Sequence, residues 1–353
     1  MFDVGHMNFF DITECGLYKV SSTDTHGLEV SETFNLIKEW VDGRPLAKTI
    51  PWSPNSANDN KAKCYCKEIY KCEHSGDFVL KLWKSDSGSA GTLWGAHEDD
   101  EDGSKEEFEY TSTTNKDNVI WGRPCYYWVI PYLDTVVSIK FDYSLCDAEM
   151  FENFVTKCIT NRIDHPKRVK RHTKNGYVRL SAEDDENSNL SFRFSTQLKS
   201  MNTSNAEMQK LAARVTHIIN RETVVVSSKD DRKTWTKRFN KCVPFLKPPL
   251  NHDKRKIEVR AEARPSAAEI KKIIESNAKE NRKPSDWENV GFETEDGKTT
   301  WADKYRLSDT IRIDKTNGKL ITAEKLCKSL QSNRNRYTHD IERELALINK
   351  DSR

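Results

Sequence analysis

The runs "CYYWVIPYL" (Cys125–Leu133) and "TVVSIKFDY" (Thr135–Tyr143) decide the fold of the first half of the chain. Both are rich in β-branched and aromatic residues and are bounded by turn formers, as strands are. The earlier runs "KCYCKEIYK" (Lys63–Lys71) and "DFVLKLWKS" (Asp77–Ser85) also indicate strands. An antiparallel sheet with attached helices is the simplest arrangement of these segments.

Helix signals lie outside these strands. The segment "DAEMFENFVTKCITNRI" (Asp147–Ile163) is amphipathic at helical spacing. Farther along, Ser266 follows Pro265 and is placed to cap a helix, and Thr322 is placed to cap a long terminal helix. Between these helices, Asp296–Gly297 is a hairpin signal.

These patterns predict an α+β fold with mixed or antiparallel sheets, flanking helices and a long C-terminal helix. A chain of 353 residues is long enough for two domains. We predict an N-terminal α+β domain over 1–150, a basic connector over 151–180 and a C-terminal α+β domain over 181–353. The first domain is expected to carry a solvated acidic loop over 98–117, because Glu98–Glu109 holds eight acidic residues and one lysine.

The composition is that of a very polar protein, with 36% hydrophobic and 32% charged residues. It contains no run of about 18 apolar residues that would cross a bilayer. The first ten residues, "MFDVGHMNFF", lack the basic start and apolar stretch of a signal peptide, so we expect a cytoplasmic location. Disulfides are not expected in that compartment.

One cluster of cysteines contains ligand types that zinc accepts. It consists of Cys64, Cys66, Cys72 and His74, but its spacing departs from the usual paired knuckles. Cys64 and Cys66 also alternate with polar neighbours, as on one face of a strand. The sequence leaves metal binding undecided, and we predict no metal or other cofactor.

The net charge is only +2, but basic residues are concentrated in two segments. Lys157–Arg179 holds eight basic residues and one acidic residue, and Lys229–Arg264 holds twelve and five. Such segments can form a patch for phosphates, or they can be ordinary solvated loops. We predict phosphate contacts from Lys167, Arg168, Lys170, Arg171, Lys174, Lys254, Arg255 and Lys256.

The segment "RNRYTH" (Arg334–His339) has the arginine–histidine spacing of HEPN ribonucleases. Two residues five positions apart lie about 140° apart around an ideal helix. One unbroken helix therefore cannot direct both side chains at one phosphate, although a kink or a dimer could. The sequence contains none of the glycine-rich nucleotide loops, zinc-protease motifs or nucleophile elbows, so nothing in it identifies an enzyme.

The order of elements suggests a family. A small N-terminal α+β unit beginning near "MNFFDITECGLYKV", a central strand–helix region and a strand–Pro–helix, hairpin, strand and terminal-helix series over 255–348 resemble the layout of RexA-type phage-exclusion proteins. The resemblance concerns topology and carries over no individual residue. It implies a cytoplasmic DNA-binding dimer that senses phage infection and activates a membrane channel partner.

We therefore predict a protein that binds double-stranded DNA without sequence preference, as a sensor in antiviral, abortive-infection defence. A homodimer is expected, because the apolar stripe of the terminal helix needs a partner surface. Two alternatives stay open: an RNA-cleaving toxin that uses Arg334 and His339, and a protein-interaction module without nucleic-acid binding.

Overall fold

The computed structural model describes most of the chain, in ten stretches: residues 2–52, 63–85, 93–110, 117–199, 205–225, 254–278, 287, 289–302, 307–314 and 319–351. The chain divides into two compact units. The large unit is Met1–Lys199 with Leu307–Arg353, and the small unit is Ser200–Arg306.

Both units contain strands and helices. The described strands are β1 (Phe2–Tyr18), β2 (Cys64–Lys71), β3 (Phe78–Ser85), β4 (Trp94–His97), β5 (Phe108–Glu109), β6 (Val119–Ile130), β7 (Thr135–Lys140), β8 (Lys170–His172), β9 (Val178–Leu180), β10 (Ser191–Leu198), β11 (Val215–Val225), β12 (Lys254–Glu262), β13 (Asn289–Thr294), β14 (Thr299–Trp301) and β15 (Ser308–Asp314). The described helices are α1 (Val30–Val41), α2 (Ala148–Lys157), α3 (Asn205–Ala212), α4 (Ala267–Ala278), α5 (Ala323–Gln331) and α6 (Arg334–Asp351). No helix in the part of the chain described here has both the length and the apolar character needed to cross a membrane.

The large unit contains a nine-stranded antiparallel sheet with the main order β10-β1-β7-β6-β3-β2. Three further strands join it: β15 pairs with β1, β4 pairs with β6, and β5 pairs with β4. The long strand β1 pairs with β7 along one edge. Along the other edge it pairs with β15 in its first half and with β10 in its second half. The predicted α+β fold with antiparallel sheets and flanking helices is confirmed.

The domain boundaries differ from those predicted at residues 150 and 180. Residues 181–199 add β10 to the large sheet, and the chain returns after residue 306 to add β15 beside β1. The small unit is thus inserted into the large one. Composition cannot reveal this insertion, because β15 lies far along the sequence from β1, the strand with which it pairs.

Helices cover both faces of this sheet, so the side chains of strand β6 are buried on both sides. Tyr126 and Trp128 belong to the same buried cluster as Leu326 of α5. The intervening Tyr127 stacks on Phe151 of α2, with ring centres 4.3 Å apart. Because both faces are buried, the strand is a continuous apolar run instead of an alternating one.

The predicted terminal helix is in fact two helices. Thr322 does cap the first one, since its hydroxyl accepts a hydrogen bond from the backbone of Lys325 at 3.2 Å. That helix ends at Gln331, and a new helix begins at Arg334. The apolar stripe of both is buried in the large unit as far as Ile341, through Leu326, Leu330 and Tyr337 among others, whereas Leu345 is 38% exposed. The part of the stripe up to Ile341 therefore has a partner surface in its own chain.

The acidic segment after β4 is only partly solvated. Asp100 pairs with Lys67 of β2, and Glu107 pairs with Lys81 of β3, which also lies 3.0 Å from Glu68. Both lysines are completely buried. Burial lowers the pKa of Lys67 to about 8, and the Glu107 carboxylate opposes this shift. The prediction of a solvated loop is wrong at these two acids, because two buried lysines need counter-charges; residues 111–116 of the predicted loop lie outside the described part.

The small unit is a four-stranded antiparallel sheet in the order β12-β11-β13-β14. One face packs against α3 and α4, where Phe292 joins Met208, Ile270 and Ile274 in a buried cluster. Helix α4 begins as predicted, because Ser266 accepts a hydrogen bond from the backbone of Glu269, and the Glu269 carboxylate accepts one from the backbone of Ser266.

A buried carboxylate, Asp77, lies under the junction of α5 and α6. Its Oδ2 accepts hydrogen bonds from Trp128 Nε1 at 3.1 Å, Gln331 Nε2 at 3.1 Å and Arg334 Nε at 2.9 Å. One side chain at the start of β3 therefore holds β6, the end of α5 and the start of α6 together. A disulfide between Cys72 and Cys327, with Cα atoms 6.3 Å apart, joins the same regions.

Replacing Asp77 with asparagine tests this junction. The variant keeps the shape of the side chain but leaves Arg334 without its counter-charge, so we expect the free energy of unfolding to fall by about 2 kcal/mol. Urea unfolding followed by tryptophan fluorescence measures the change. The matched control is Asp340→Asn, which removes an exposed acid paired with an exposed histidine. Equal midpoints for Asp77→Asn and the unchanged protein would show that the junction does not depend on this carboxylate.

Candidate functional site

The residues of the suggested ribonuclease signature have different environments. Arg334 is mostly buried and forms an ion pair with Asp77, and Glu342 lies 3.7 Å away on its other side. His339 is 70% exposed and lies 3.2 Å from the neighbouring Asp340. Both lie in the single helix α6, so the angular separation of the ideal helix holds. Arg334 is a structural residue of the α5–α6 junction, and the two side chains do not form a common site.

The cysteine cluster does not assemble a metal site either. Cys64 and Cys66 are buried within β2, and His74 is exposed in the turn that follows. Cys72 is bonded to Cys327 and therefore offers no thiolate. The expectation of no disulfide fails at this pair, because the fold brings together two cysteines that are 255 positions apart.

The first predicted basic segment forms a small hairpin of β8 and β9, and Arg168 just before it is not available to a ligand. Its side chain is only 2% exposed. Its guanidinium donates to the carbonyl of His26 at 3.0 Å and to Glu183 at 3.3 Å. It also packs on Gly27, where an added Cβ would lie 2.5 Å from the Arg168 Nη2 atom. The prediction of a phosphate contact from Arg168 is wrong, because its charge is satisfied inside the large unit.

The other members of this segment are also largely paired. Lys170 donates to the carbonyl of Ile163 at 2.7 Å and lies 3.2 Å from Asp164. Arg171 donates to the backbone carbonyl of Glu186. Lys167 is 70% exposed and lies 3.7 Å from a carboxylate, and Lys174 is exposed in the hairpin turn. Residues 163–190 contain six basic and five acidic residues, so the local surplus of charge is small.

One trio of side chains near this hairpin has the spacing of metal ligands: Glu32, His165 and Glu183. His165 Nδ1 accepts a hydrogen bond from the backbone of Lys167 at 3.1 Å, so its other ring nitrogen carries the proton and donates to Glu32. Glu183 is paired with Arg168. The carboxylates are thus already satisfied by protein donors, and the trio holds the Arg168 loop in place.

A cleft of the large unit has the wrong charge for a phosphate ligand. It has a volume of about 570 Å³ and lies between β2 and the start of α5. Its lining includes two lysines, Lys38 and Lys71, and five carboxylates, Asp42, Glu68, Glu73, Asp102 and Glu324.

Basic charge is instead concentrated in the small unit. Residues 200–306 contain 23 basic and 16 acidic residues, whereas the remainder of the chain contains 34 and 39. The second predicted segment lies here. Lys254 and Arg255 begin β12, and of the three predicted residues the structure describes only the side chain of Lys256, which is exposed.

The sheet of the small unit has a second face, opposite α3 and α4, which we call the open face. It is defined by Ile219, Arg221, Glu258, Arg260 and Trp301, which alternate along their strands with residues on the helix side. No further strand or helix in the described part of the small unit forms a layer over it, although Ile219 on this face is only 7% exposed. An antiparallel sheet covered on one face commonly presents its other face to solvent.

Cations and aromatic rings are combined on this face. The guanidinium carbon of Arg221 lies 3.9 Å from the ring centre of Trp301 and 4.5 Å from that of Trp287. Lys256 Nζ lies 5.2 Å from the ring centre of Trp287. Arg221 Nε also donates to Glu258 at 2.6 Å across the β11–β12 pair. These contacts fix two positive charges above the sheet.

Gly291 explains how Trp301 can lie across the sheet. The two residues are directly opposite on β13 and β14. A Cβ added at Gly291 would lie 2.9 Å from the Trp301 ring, which is too close for two carbon atoms. A glycine at this position therefore allows the ring to approach the backbone and to reach Arg221.

Sequence reasoning found Lys256 but missed Arg221, Trp287 and Trp301. The hairpin signal at Asp296–Gly297 did place Trp301 on a strand, and the hairpin is present as β13 and β14. The contact with Arg221 could not be inferred, because 80 positions separate the two residues along the chain. In comparisons with known proteins, no family model and no curated protein matches this chain.

The burial of Arg168 leads to a prediction opposite to that from sequence. Arg168→Ala removes two hydrogen bonds and buried side-chain packing, so we expect about 2 kcal/mol lower stability and little direct effect on DNA affinity. Lys167→Ala is the matched control, since that lysine is 70% exposed. Thermal unfolding and DNA titration of both variants make the comparison. A stable Arg168→Ala protein with weakened DNA binding would contradict the structural role.

Proposed function

We propose that this protein binds double-stranded DNA, without preference for base sequence, through the open face of the small unit. One observation carries the proposal: Arg221 and Lys256 are held by Trp287 and Trp301 on the uncovered face of a sheet in the basic part of the chain. Lys254 and Arg255 precede Lys256 on the same strand, and alternation along β12 puts the position of Lys254, but not that of Arg255, on the open face.

Preorganisation makes this cluster suited to phosphates. Long basic side chains lose conformational entropy when a ligand orders them, which weakens binding. Here Arg221 is already restrained by two rings and by the Glu258 carboxylate. Its guanidinium can therefore meet a phosphate oxygen at a smaller entropic cost than a free surface arginine.

The arrangement favours duplex over single strands. Single-strand binding proteins use exposed aromatic faces on which bases stack. Both tryptophans here contact cations, so the cluster offers charge in preference to a stacking platform. Phosphate contacts carry no base-sequence information, which gives binding without sequence preference.

The order of elements along the chain supports a role in antiviral defence. Its resemblance to RexA-type phage-exclusion proteins implies a cytoplasmic sensor in abortive infection that acts on a membrane partner. A sensor that contacts phosphates would respond to the presence or form of DNA and not to one operator sequence. The ribonuclease alternative receives no support from geometry, because Arg334 is committed to Asp77.

Replacing Arg221 with alanine tests the site. We expect affinity for duplex DNA to fall about tenfold at low salt, and the slope of log affinity against log salt to decrease by about 0.9 for each phosphate that the variant no longer neutralises. Fluorescence anisotropy with duplexes of two unrelated sequences, from low to moderate salt, measures both quantities. The two duplexes should give the same result.

Arg336→Ala is the matched control, because Arg336, like Arg221, pairs with an acid and lies over an aromatic ring, but it belongs to the large unit. Its affinity should be unchanged. A second arm reverses charge at Lys167 and Lys174 of the hairpin segment. If the hairpin variant loses binding while Arg221→Ala retains it, the interface is in the large unit. If the unchanged protein binds no DNA at low salt, the protein-interaction alternative replaces the proposal.

A further inference from the structure

Strand β12 is an uncovered edge of the small sheet. In the described part of the chain it pairs with β11 and with no second strand. From Lys256 to Glu262 its residues are exposed, apart from the half-exposed Ile257. Val259, at the middle of the strand, is 55% exposed even though it points to the helix side of the sheet. An edge of this length presents unpaired backbone groups and an apolar residue to any matching strand.

The charges of this strand alternate in sign along the open face. The order is Lys256, Glu258, Arg260 and Glu262. Toward the interior of the sheet, Glu258 pairs with Arg221 at 2.6 Å and Arg260 pairs with Glu293 at 2.7 Å. Edge strands that avoid pairing commonly carry charged side chains, especially lysines. Alternating signs instead allow attraction to a suitably placed partner.

We propose that the partner is a second copy of this chain, whose β12 pairs antiparallel with this one about a two-fold axis through Val259. In that register each Lys256 lies opposite Glu262 of the other copy, and each Glu258 lies opposite Arg260. The two Val259 side chains meet on the axis, and Ile257 faces Ala261 on the helix side. Between Lys256 and Glu262 every opposed charged pair is of opposite sign, as an isologous interface requires of a self-complementary surface.

The charge pattern also selects this register over its neighbours. An axis through Glu258 would place that acid opposite its own copy and Lys256 opposite Arg260. An axis through Arg260 would place that arginine opposite itself and Glu258 opposite Glu262. Both shifts oppose like charges, and a shift by one residue would turn apolar side chains to the open face. The sequence of β12 therefore specifies one alignment.

Such a dimer would join two small sheets into one continuous sheet. A two-fold axis perpendicular to the sheet leaves both open faces on the same side. If the proposed function is correct, the two Arg221 clusters then form one extended surface for a duplex. The dimer itself does not depend on DNA, so it is tested in the absence of nucleic acid.

Charge exchange on β12 tests the pairing. We expect the unchanged protein to dimerise with a micromolar dissociation constant, since one strand pair is a small interface. Lys256→Glu and Glu262→Lys should each weaken dimerisation about tenfold, because each places like charges opposite one another twice. High salt should reduce the defect. Lys271→Glu, on the exposed surface of α4, is the matched control and should leave the dimer intact.

Mixing the two single variants gives the decisive result. The copy with Lys256→Glu is acidic at both positions, and the copy with Glu262→Lys is basic at both, so a mixed dimer restores every opposite pair. We expect each variant alone to be mostly monomeric and the mixture to form the heterodimer, as seen by native mass spectrometry and sedimentation velocity. Formation of the heterodimer also shows that both variants are folded. A monomeric unchanged protein, single variants that dimerise fully, or a mixture that stays monomeric would each overturn the proposal.

Discussion

The packing of the large unit depends on hydrogen-bond donors and a positive charge for the carboxylate of Asp77, which is buried under the junction of α5 and α6. A buried acid without donors and a counter-charge would cost several kcal/mol, so its surroundings must supply both. Trp128, Gln331 and Arg334 do so, and they come from a central strand and from both sides of the α5–α6 junction. The break between the two helices falls between Gln331 and Arg334, and both side chains reach the same carboxylate. The arginine that resembles a catalytic residue is thus required by the fold.

A similar demand is met elsewhere in the large unit, where buried cations have partners. Lys67 and Lys81 are matched by buried acids, and Arg168 by Glu183 and a backbone carbonyl. The small unit differs, because it has a surplus of basic residues and a sheet that the described helices cover on one face. On the open face Arg221 and Lys256 are ordered by aromatic rings without being buried as Arg168 is. The contrast between buried cations in the large unit and partly exposed, ring-stacked cations in the small unit is the reason to propose nucleic-acid binding by the small unit.

Local features of the fold were predictable from sequence, and long-range ones were not. Thr322 and Ser266 cap helices as predicted, because a cap depends on residues within one turn. The strands around Cys125–Tyr143 were evident because burial on both faces leaves an apolar run. The inserted small unit and the disulfide of Cys72 depend on contacts between distant segments. The same limit explains why Lys256 could be predicted from a basic run in the sequence and Arg221 could not. Arg221 contacts aromatic rings that lie far along the chain.

The central claim is that DNA lies on the open face of the small unit, and hydrogen–deuterium exchange with and without a short duplex tests it most directly. Added DNA should slow exchange in peptides covering β11, β13 and β14, while the hairpin of β8 and β9 and the α5–α6 junction should exchange at unchanged rates. Each strand reports separately, so protection from dimerisation through β12 can be distinguished from protection by DNA. Slower exchange confined to the β8–β9 hairpin, or no change anywhere in the small unit under conditions where DNA is bound, would contradict the assignment.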